Sequence, residues 1–148
     1  MKLNSEPAAT LPASLAASSG FLLSKVTQRG IELVHEALAP LGIRSRHYGV
    51  LAALAEAGPR SQQALGAWLR VDRTTMVAVV DDLERLGLVE RHRSPGDRRA
   101  YSLNLTPSGG SVLAEARQRV AAADAMLLEP LAPEERAQLR ALLVRMLE

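Results

Sequence analysis

The run Asp72-Arg73-Thr74-Thr75 has the residue types expected at the exposed start of a helix that reads nucleic acid. The Asp72 carboxylate can accept from N–H groups of the first turn, which predicts an N-cap. Arg73, Thr74 and Thr75 then offer side-chain donors at the positive end of the helix dipole, where phosphates and base edges can bind. The alternative is that the two threonines only satisfy helix-end donors. We expect this helix to enter a DNA major groove.

Four neighbouring residues are assigned to the same DNA-contacting surface. Val77 and Ala78 follow one turn later, where their apolar groups can pack against thymine methyls. Ser61 and Gln62 open the preceding helix, with Ser61 as its N-cap. Together with the first run, they predict a two-helix DNA-binding unit.

A cluster of arginines follows Gly87, in a segment whose pattern predicts a β-hairpin. An arginine at the tip of such a hairpin is suited to a narrow minor groove, where the negative potential is enhanced. Asp97 is expected to hold the Arg99 guanidinium in one rotamer, although the pair can also be a solvated turn contact worth ~0–1 kcal/mol. The predicted DNA-contacting residues of the hairpin are Arg91, Arg93, Asp97, Arg98 and Arg99.

A second cluster, Arg46, His47 and Tyr48, has the chemistry to bind the carboxylate or hydroxyl of a small ligand. The alternative places Tyr48 in the core and Arg46 on a solvated helix face. Trp68 is expected to be a packing residue. The apolar residues assigned to the same ligand-binding site are Leu22, Val26 and Leu51.

Composition excludes several classes of function. The 148 residues contain no cysteine, which removes disulfides, thiolate zinc sites and thiol redox sensing. The three histidines have no metal-ligand spacing, and no phosphate-binding glycine loop or nucleophile elbow is present, so neither a metal, a cofactor nor an enzyme is expected. No apolar run reaches a membrane span and no export signal is seen, so we expect a cytoplasmic protein with no membrane partner. The net charge of +2 is modest, so a DNA-binding function depends on where the arginines lie.

Helical periodicity and capping residues predict a mostly α (α+β) fold. Three helices followed by a basic hairpin make a winged helix-turn-helix, which we place over residues 44–106 of a single domain spanning 1–148. Residues 1–12 are expected to be a flexible arm. The predicted elements are helices over 14–39, 45–57, 61–69, 72–86, 107–127 and 134–146, and strands over 88–93 and 101–105.

The wing and the segment after it resemble the core signature of the MarR (multiple antibiotic resistance regulator) family. The resemblance lies in Asp97-Arg98-Arg99, in the alternating strand Tyr101–Leu105, and in Leu105-Thr106-Pro107-Ser108-Gly109. Leu41-Gly42-Ile43 and the helix through Leu54 also resemble the family, so the resemblance spans about residues 41–110.

This resemblance implies a homodimer in which residues 14–39 and 107–148 of two chains intertwine and two winged helices bind a pseudo-palindromic DNA operator. It also implies a repressor released by a small aromatic or phenolic acid bound between the dimer helices and the DNA-binding lobe. Many members have a hydroxyl or basic residue at the positions of Val77 and Ala78, so base preference does not carry over, and the absence of cysteine excludes the peroxide-sensing branch. The competing hypothesis is a winged helix that binds another protein and has no operator.

Overall fold

The computed structural model describes residues 10–94, 96, 97 and 100–148. The described part of the chain forms seven α-helices and one two-stranded antiparallel sheet, which packs against α3, α4 and α5. The helices are α1 (Ala13–Ala16), α2 (Ser19–Leu38), α3 (Ser45–Ala57), α4 (Gln62–Leu69), α5 (Arg73–Arg85), α6 (Pro107–Leu127) and α7 (Pro133–Leu147), and the strands are β1 (Val89–Arg93) and β2 (Tyr101–Leu105).

Side-chain caps begin the helices where the sequence predicts them. The Ser61 hydroxyl accepts from the N–H of Ala64 at 3.1 Å, and Asp72 accepts from the N–H of Thr75 at 2.9 Å. Thr106 caps α6 in the same way, and Pro107 follows at a position that needs no donor. These local hydrogen bonds explain why the predicted starts of α4, α5 and α6 are confirmed.

The single first helix predicted over 14–39 is wrong, because the chain is divided at Ser18. Ser18 has an extended backbone and its hydroxyl accepts from the N–H of Phe21, so it begins a new helix rather than continuing α1. At the other end, α2 gives way after Leu38 to a short 3₁₀ turn that ends at Gly42, whose φ of 67° lies in the left-handed region.

The core of the winged-helix lobe lies between α3, α4, α5 and the hairpin. Its fully buried side chains include Leu51, Leu65, Met76, Leu83 and Leu103. The hairpin is extended by an isolated bridge in which Arg60 and Leu103 exchange backbone hydrogen bonds, a pairing the sequence analysis missed. Trp68 was expected to pack inside, but it is 61% exposed on α4, so that expectation is wrong.

Thr106 and Gly109 join the hairpin to α6. The Thr106 hydroxyl donates to the carbonyl of Gly87 at 2.7 Å, and its backbone N–H donates to the carbonyl of Leu88 at 3.1 Å. Gly109 lies against the same Leu88 carbonyl, and a Cβ at this position would be only 2.1 Å from the oxygen. The Thr-Pro-x-Gly sequence is therefore explained by a close approach of α6 to the end of α5.

The long helices α2 and α6 pack against each other beside the lobe, with Leu33 and Ala123 buried, and Leu113 of α6 is buried in the lobe core. The helix α7 carries no buried residue. None of the helices in the described ranges is long and apolar enough to cross a membrane.

Gly109→Ala should lower the free energy of unfolding by about 1–3 kcal/mol or more, because the new methyl group overlaps the Leu88 carbonyl. Gly110→Ala is the matched control, since nothing lies within 4 Å of its Cβ position. It should be neutral or stabilising by up to about 1 kcal/mol. Urea unfolding of the two variants measures the difference, and equal stabilities would contradict this account of the junction.

Candidate nucleic-acid interface

The first turn of α5 presents two side chains outward and uses a third for its own cap. Arg73 and Thr74 are exposed, whereas Thr75 is half-buried. The Thr75 hydroxyl donates to Asp72 at 2.6 Å, in addition to the backbone bond from Thr75 to the same carboxylate. These two hydrogen bonds stabilise the ionised carboxylate and lower the pKa of Asp72. Thr75 therefore has a capping role, and Arg73 and Thr74 are the residues available for contact.

Val77 and Ala78 are both exposed one turn along α5. Val77 follows Thr74 at i+3, so the two side chains form an outward ridge on the helix. Ala78 lies to one side of this ridge, against the cavity that also contains Thr75. Four of the predicted contact residues of α5 are thus exposed, namely Arg73, Thr74, Val77 and Ala78.

The hairpin carries an exposed arginine at its outer end. Arg93 is the last residue of β1, is paired with Tyr101, and makes no ion pair within the described residues. Asp97 lies in the turn, where its N–H faces the carbonyl of Ser94 at 3.4 Å and its carbonyl accepts from Ala100 at 3.2 Å. Arg98 and Arg99 lie outside the described residues, so the predicted Asp97–Arg99 pair stays a prediction.

Arg91 faces acidic side chains of its own chain. Its guanidinium contacts Asp81 at 2.9 Å and also pairs with Glu84, both on α5. The same group reaches the Gln62 side-chain oxygen on α4 at 3.5 Å. Two of the residues predicted to bind DNA are therefore bound to each other, and one of them, Arg91, is also bound to two carboxylates.

One concavity of about 740 Å³ joins these elements. Its walls include Gln62 at the start of α4, Arg73 at the start of α5, and Arg91 and Tyr101 from the two strands. Ser61, whose hydroxyl serves as a cap, lies exposed beside Gln62. The starts of both helices and the hairpin consequently face one side of the protein, as a groove-reading surface requires.

The predicted ligand-binding residues do not form one site. Tyr48 lines a cavity of about 310 Å³ between α2, α3 and α6, whereas Arg46 and His47 line a separate cavity of about 460 Å³ that faces α5. Leu51 is fully buried in the core and has no surface to offer a ligand. Leu22 and Val26 are exposed on α2 but line neither cavity.

The cavity at Tyr48 contains residues the sequence analysis missed. Arg117 and Asp124 reach it from α6, and its apolar wall includes Val34 and Val120. Arg117 also lies 3.5 Å from Glu56. No local signal marks Arg117 as a site residue, because its place beside Tyr48 depends on the packing of α6 against α3.

His47 is buried and both of its ring nitrogens face polar groups. Its Nδ1 accepts from the N–H of Arg44 at 3.1 Å, and its Nε2 lies 3.4 Å from Asp82. Burial and the nearby charges of Arg44 and Arg85 lower the pKa of His47. A neutral ring also keeps Nδ1 an acceptor, so this histidine is a structural residue between α3 and α5. Among the residues that the structure describes, no group of three His, Cys, Asp or Glu could hold a metal ion.

Comparison with known proteins relates this chain to transcription regulators. A family model described as MarR family matches residues 41–100. A regulatory protein assigned to the hcr operon of Thauera aromatica is 35% identical over 144 residues, which cover 97% of this chain and 87% of that protein. The multiple antibiotic resistance protein MarR of Salmonella typhimurium is 31% identical over 100 residues, 68% of this chain and 69% of that protein.

Solved structures of the repressor CouR are similar to this chain over nearly its whole length. CouR bound to a 23-mer DNA duplex has 32% identity and a TM-score of 0.87, covering 95% of this chain and 100% of that one. CouR from Rhodococcus jostii RHA1, bound to p-coumaroyl-CoA, has 34% identity and a TM-score of 0.79, covering 89% and 93%. The predicted fold class, a mostly α winged helix-turn-helix, is confirmed.

The position of His47 predicts a pH dependence of folding. Its pKa is lowered in the folded protein, so the unfolded chain binds more protons as the pH falls below the ordinary value of 6.5. Stability should be unaffected by this group above pH 6.5 and should fall as the pH drops toward the lowered folded pKa. Urea unfolding at a series of pH values measures this effect.

His47→Asn keeps a hydrogen-bond acceptor near the N–H of Arg44 and removes the titrating ring. It should therefore flatten the decline of stability below pH 6.5. His35→Asn, at an exposed histidine, is the control and should retain the wild-type decline. The same pH dependence in His47→Asn and in the wild type would contradict the assignment.

Proposed function

The chain belongs to the MarR family of transcriptional regulators, as its wing sequence predicted, and from that membership we propose that it is a homodimeric repressor released by a small aromatic acid. Its operator is a pseudo-palindromic double-stranded DNA, with one half-site for each subunit. The observation that carries the proposal is the single concavity shared by the start of α5 and the hairpin.

The ridge of α5 reads the major groove. Thr74 can donate to or accept from base edges, and Val77 can pack against a thymine methyl. Arg73, exposed at the positive end of the helix dipole, binds phosphate. The exposure of all three residues supports this division of roles.

The hairpin arginines bind the adjacent minor groove and the DNA backbone. Arg93 is exposed at the end of β1, and the sequence places Arg98 and Arg99 close to the turn. Arginine is suited to a narrow minor groove because the negative potential is concentrated there. Helix and hairpin then contact neighbouring grooves of one half-site.

The flanking helices form the dimer interface. Ten large apolar side chains of these helices are exposed in one protomer, and a second copy would bury them. The exposed large apolar residues of α1, α2, α6 and α7 are Leu15, Leu22, Val26, Ile31, Met126, Leu142, Leu143, Val144, Met146 and Leu147.

The cavity at Tyr48 takes the ligand. Val34 and Val120 provide an apolar wall for an aromatic ring, Arg117 offers a guanidinium for a carboxylate or thioester carbonyl, and the Tyr48 hydroxyl is suited to a phenolic group. CouR, at 34% identity, is bound to p-coumaroyl-CoA, which supports an aromatic acid or its thioester as the ligand class.

The place of this cavity explains how a ligand would release DNA. Its walls come from α2 and α6, which carry the proposed dimer interface, and from α3, which belongs to the lobe. A ligand that binds better when these helices are further apart changes the spacing of the two lobes. The ligand then lowers operator affinity by the same factor by which the operator lowers ligand affinity.

Selection from a random duplex library, followed by footprinting, tests operator binding. We expect a protected site with two-fold symmetry and half-sites about 10–10.5 bp apart or a multiple of it. Thr74→Ala should reduce discrimination at one base pair of each half-site by about 1–3 kcal/mol, without loss of folding. Thr10→Ala, outside all helices, is the control. Equal weak binding to all duplexes, with no footprint, would contradict the proposal and favour a protein-interaction module.

A thermal-shift titration with p-coumarate and with p-coumaroyl-CoA tests the ligand site. A ligand should raise the melting temperature of the protein and release the selected duplex. The compound that binds more tightly shows whether the ligand is the free acid or its thioester. Arg117→Gln should weaken ligand binding about tenfold or more, through loss of a charge-assisted hydrogen bond. Arg119→Gln is the matched control, because Arg119 pairs with Glu115 on the surface of α6. Unchanged ligand affinity in Arg117→Gln would exclude this cavity.

A further inference from the structure

Arg91 connects three elements of the DNA-binding lobe through one guanidinium. The side chain starts from β1, pairs with Asp81 and Glu84 of α5, and reaches Gln62 of α4. A planar guanidinium with several fixed donors can hold such partners in one relative geometry, which a lysine cannot do as well. The hairpin, the recognition helix and the preceding helix are therefore tied at a single point.

Three residues of β1 lie on one face of the strand, and each has different surroundings. Val89, Arg91 and Arg93 point to the same side of the strand. Val89 is buried in the core, Arg91 meets the carboxylates, and Arg93 makes no ion pair among the described residues. Val89 and Arg91 therefore fix this face of the strand to the lobe, and Arg93 at its end stays exposed.

The charge of Arg91 is already compensated within the protein. Two carboxylates face it, and its side chain is partly covered, with 33% exposed. A phosphate at this guanidinium would be brought close to both acids, which repel it. The location disfavours a DNA contact and favours an internal role.

We propose that Arg91 is a positioning residue, which holds the hairpin at a fixed distance from α5 so that both fit adjacent grooves, and which does not itself neutralise a DNA phosphate. This inference rests on the proposed operator binding. An exposed ion pair contributes little to stability, ~0–1 kcal/mol, so the contribution of this network is to geometry. Arg91→Gln should weaken binding of the selected operator about tenfold while leaving the fold intact.

The salt dependence of operator affinity separates positioning from phosphate contact. Loss of one phosphate contact reduces the slope of log K against log salt by about 0.9. Arg93→Gln, two residues along the same face, should show that reduction, whereas Arg91→Gln should lose affinity with the wild-type slope. A slope in Arg91→Gln reduced as much as in Arg93→Gln, or an unchanged affinity, would overturn the proposal.

A charge swap provides a second, independent readout. Arg91→Glu and Glu84→Arg each place like charges together and should each weaken operator binding tenfold or more. The double variant restores an opposite pair between β1 and α5, while Asp81 still repels the new carboxylate, so affinity should recover in part, by about threefold or more over Arg91→Glu. A double variant that melts like the wild type but stays as weak as Arg91→Glu would overturn the proposal. If the double variant melts at a lower temperature than the wild type, the proposal is decided by the salt dependence of operator affinity in Arg91→Gln and Arg93→Gln.

The failure of operator binding itself would look different. In that case the wild-type protein would select no sequence and give no footprint. When the wild type binds a selected operator, the positioning proposal fails if Arg91→Gln behaves as described for a phosphate contact or for a neutral site. It also fails if the double variant melts like the wild type but stays as weak as Arg91→Glu.

Discussion

The carbonyl oxygens of Gly87 and Leu88 both accept hydrogen bonds from Thr106, and the rest of the molecule is organised around this junction. It fixes the end of α5, the base of the hairpin and the start of α6 to one another. Gly109 makes the contact possible, because a side chain there would overlap the Leu88 carbonyl. Since α6 is also the longest helix packed against α2, the recognition helix and the flanking helices share a rigid connection.

The negative charges on one side of α5 are neutralised by partners within the same lobe. Asp81 and Glu84 face Arg91, while Asp82 pairs with Arg85 and lies beside His47. Acids on a helix that enters a DNA groove would repel phosphate if they were left uncompensated. Pairing them within the lobe leaves Arg73, in the first turn of α5, and Arg93, on the hairpin, as exposed cations with no ion pair among the described residues.

The cavity at Tyr48 lies at the boundary between this rigid lobe and the flanking helices. Its walls come from α2, α3 and α6, so a molecule bound there contacts both sides of the boundary. The Thr106 junction holds the start of α6, and Leu113 of the same helix is buried in the lobe core. Under the proposed function, a change of packing between α2, α3 and α6 on ligand binding is transmitted to the lobe through these contacts.

The sequence by itself determined the local structure of this protein. Ser61, Asp72 and Thr106 are caps, Gly42 and Gly87 end helical segments, and the strands alternate, because each of these features depends on neighbours within a few residues. The position of the exposed first turn of α5 follows from the same short-range rules. For this reason most element bounds and the winged-helix class could be predicted.

Only the tertiary structure decided which side chains meet across the fold. Periodicity shows that a residue lies on one face of a helix, but not which element packs there, so it could not place His47 inside, Trp68 outside, or Arg117 beside Tyr48. The role of Arg91 depends on partners 7, 10 and 29 residues away along the chain. Such contacts are set by how the helices and the hairpin pack, and that packing leaves no mark in the spacing of any one segment.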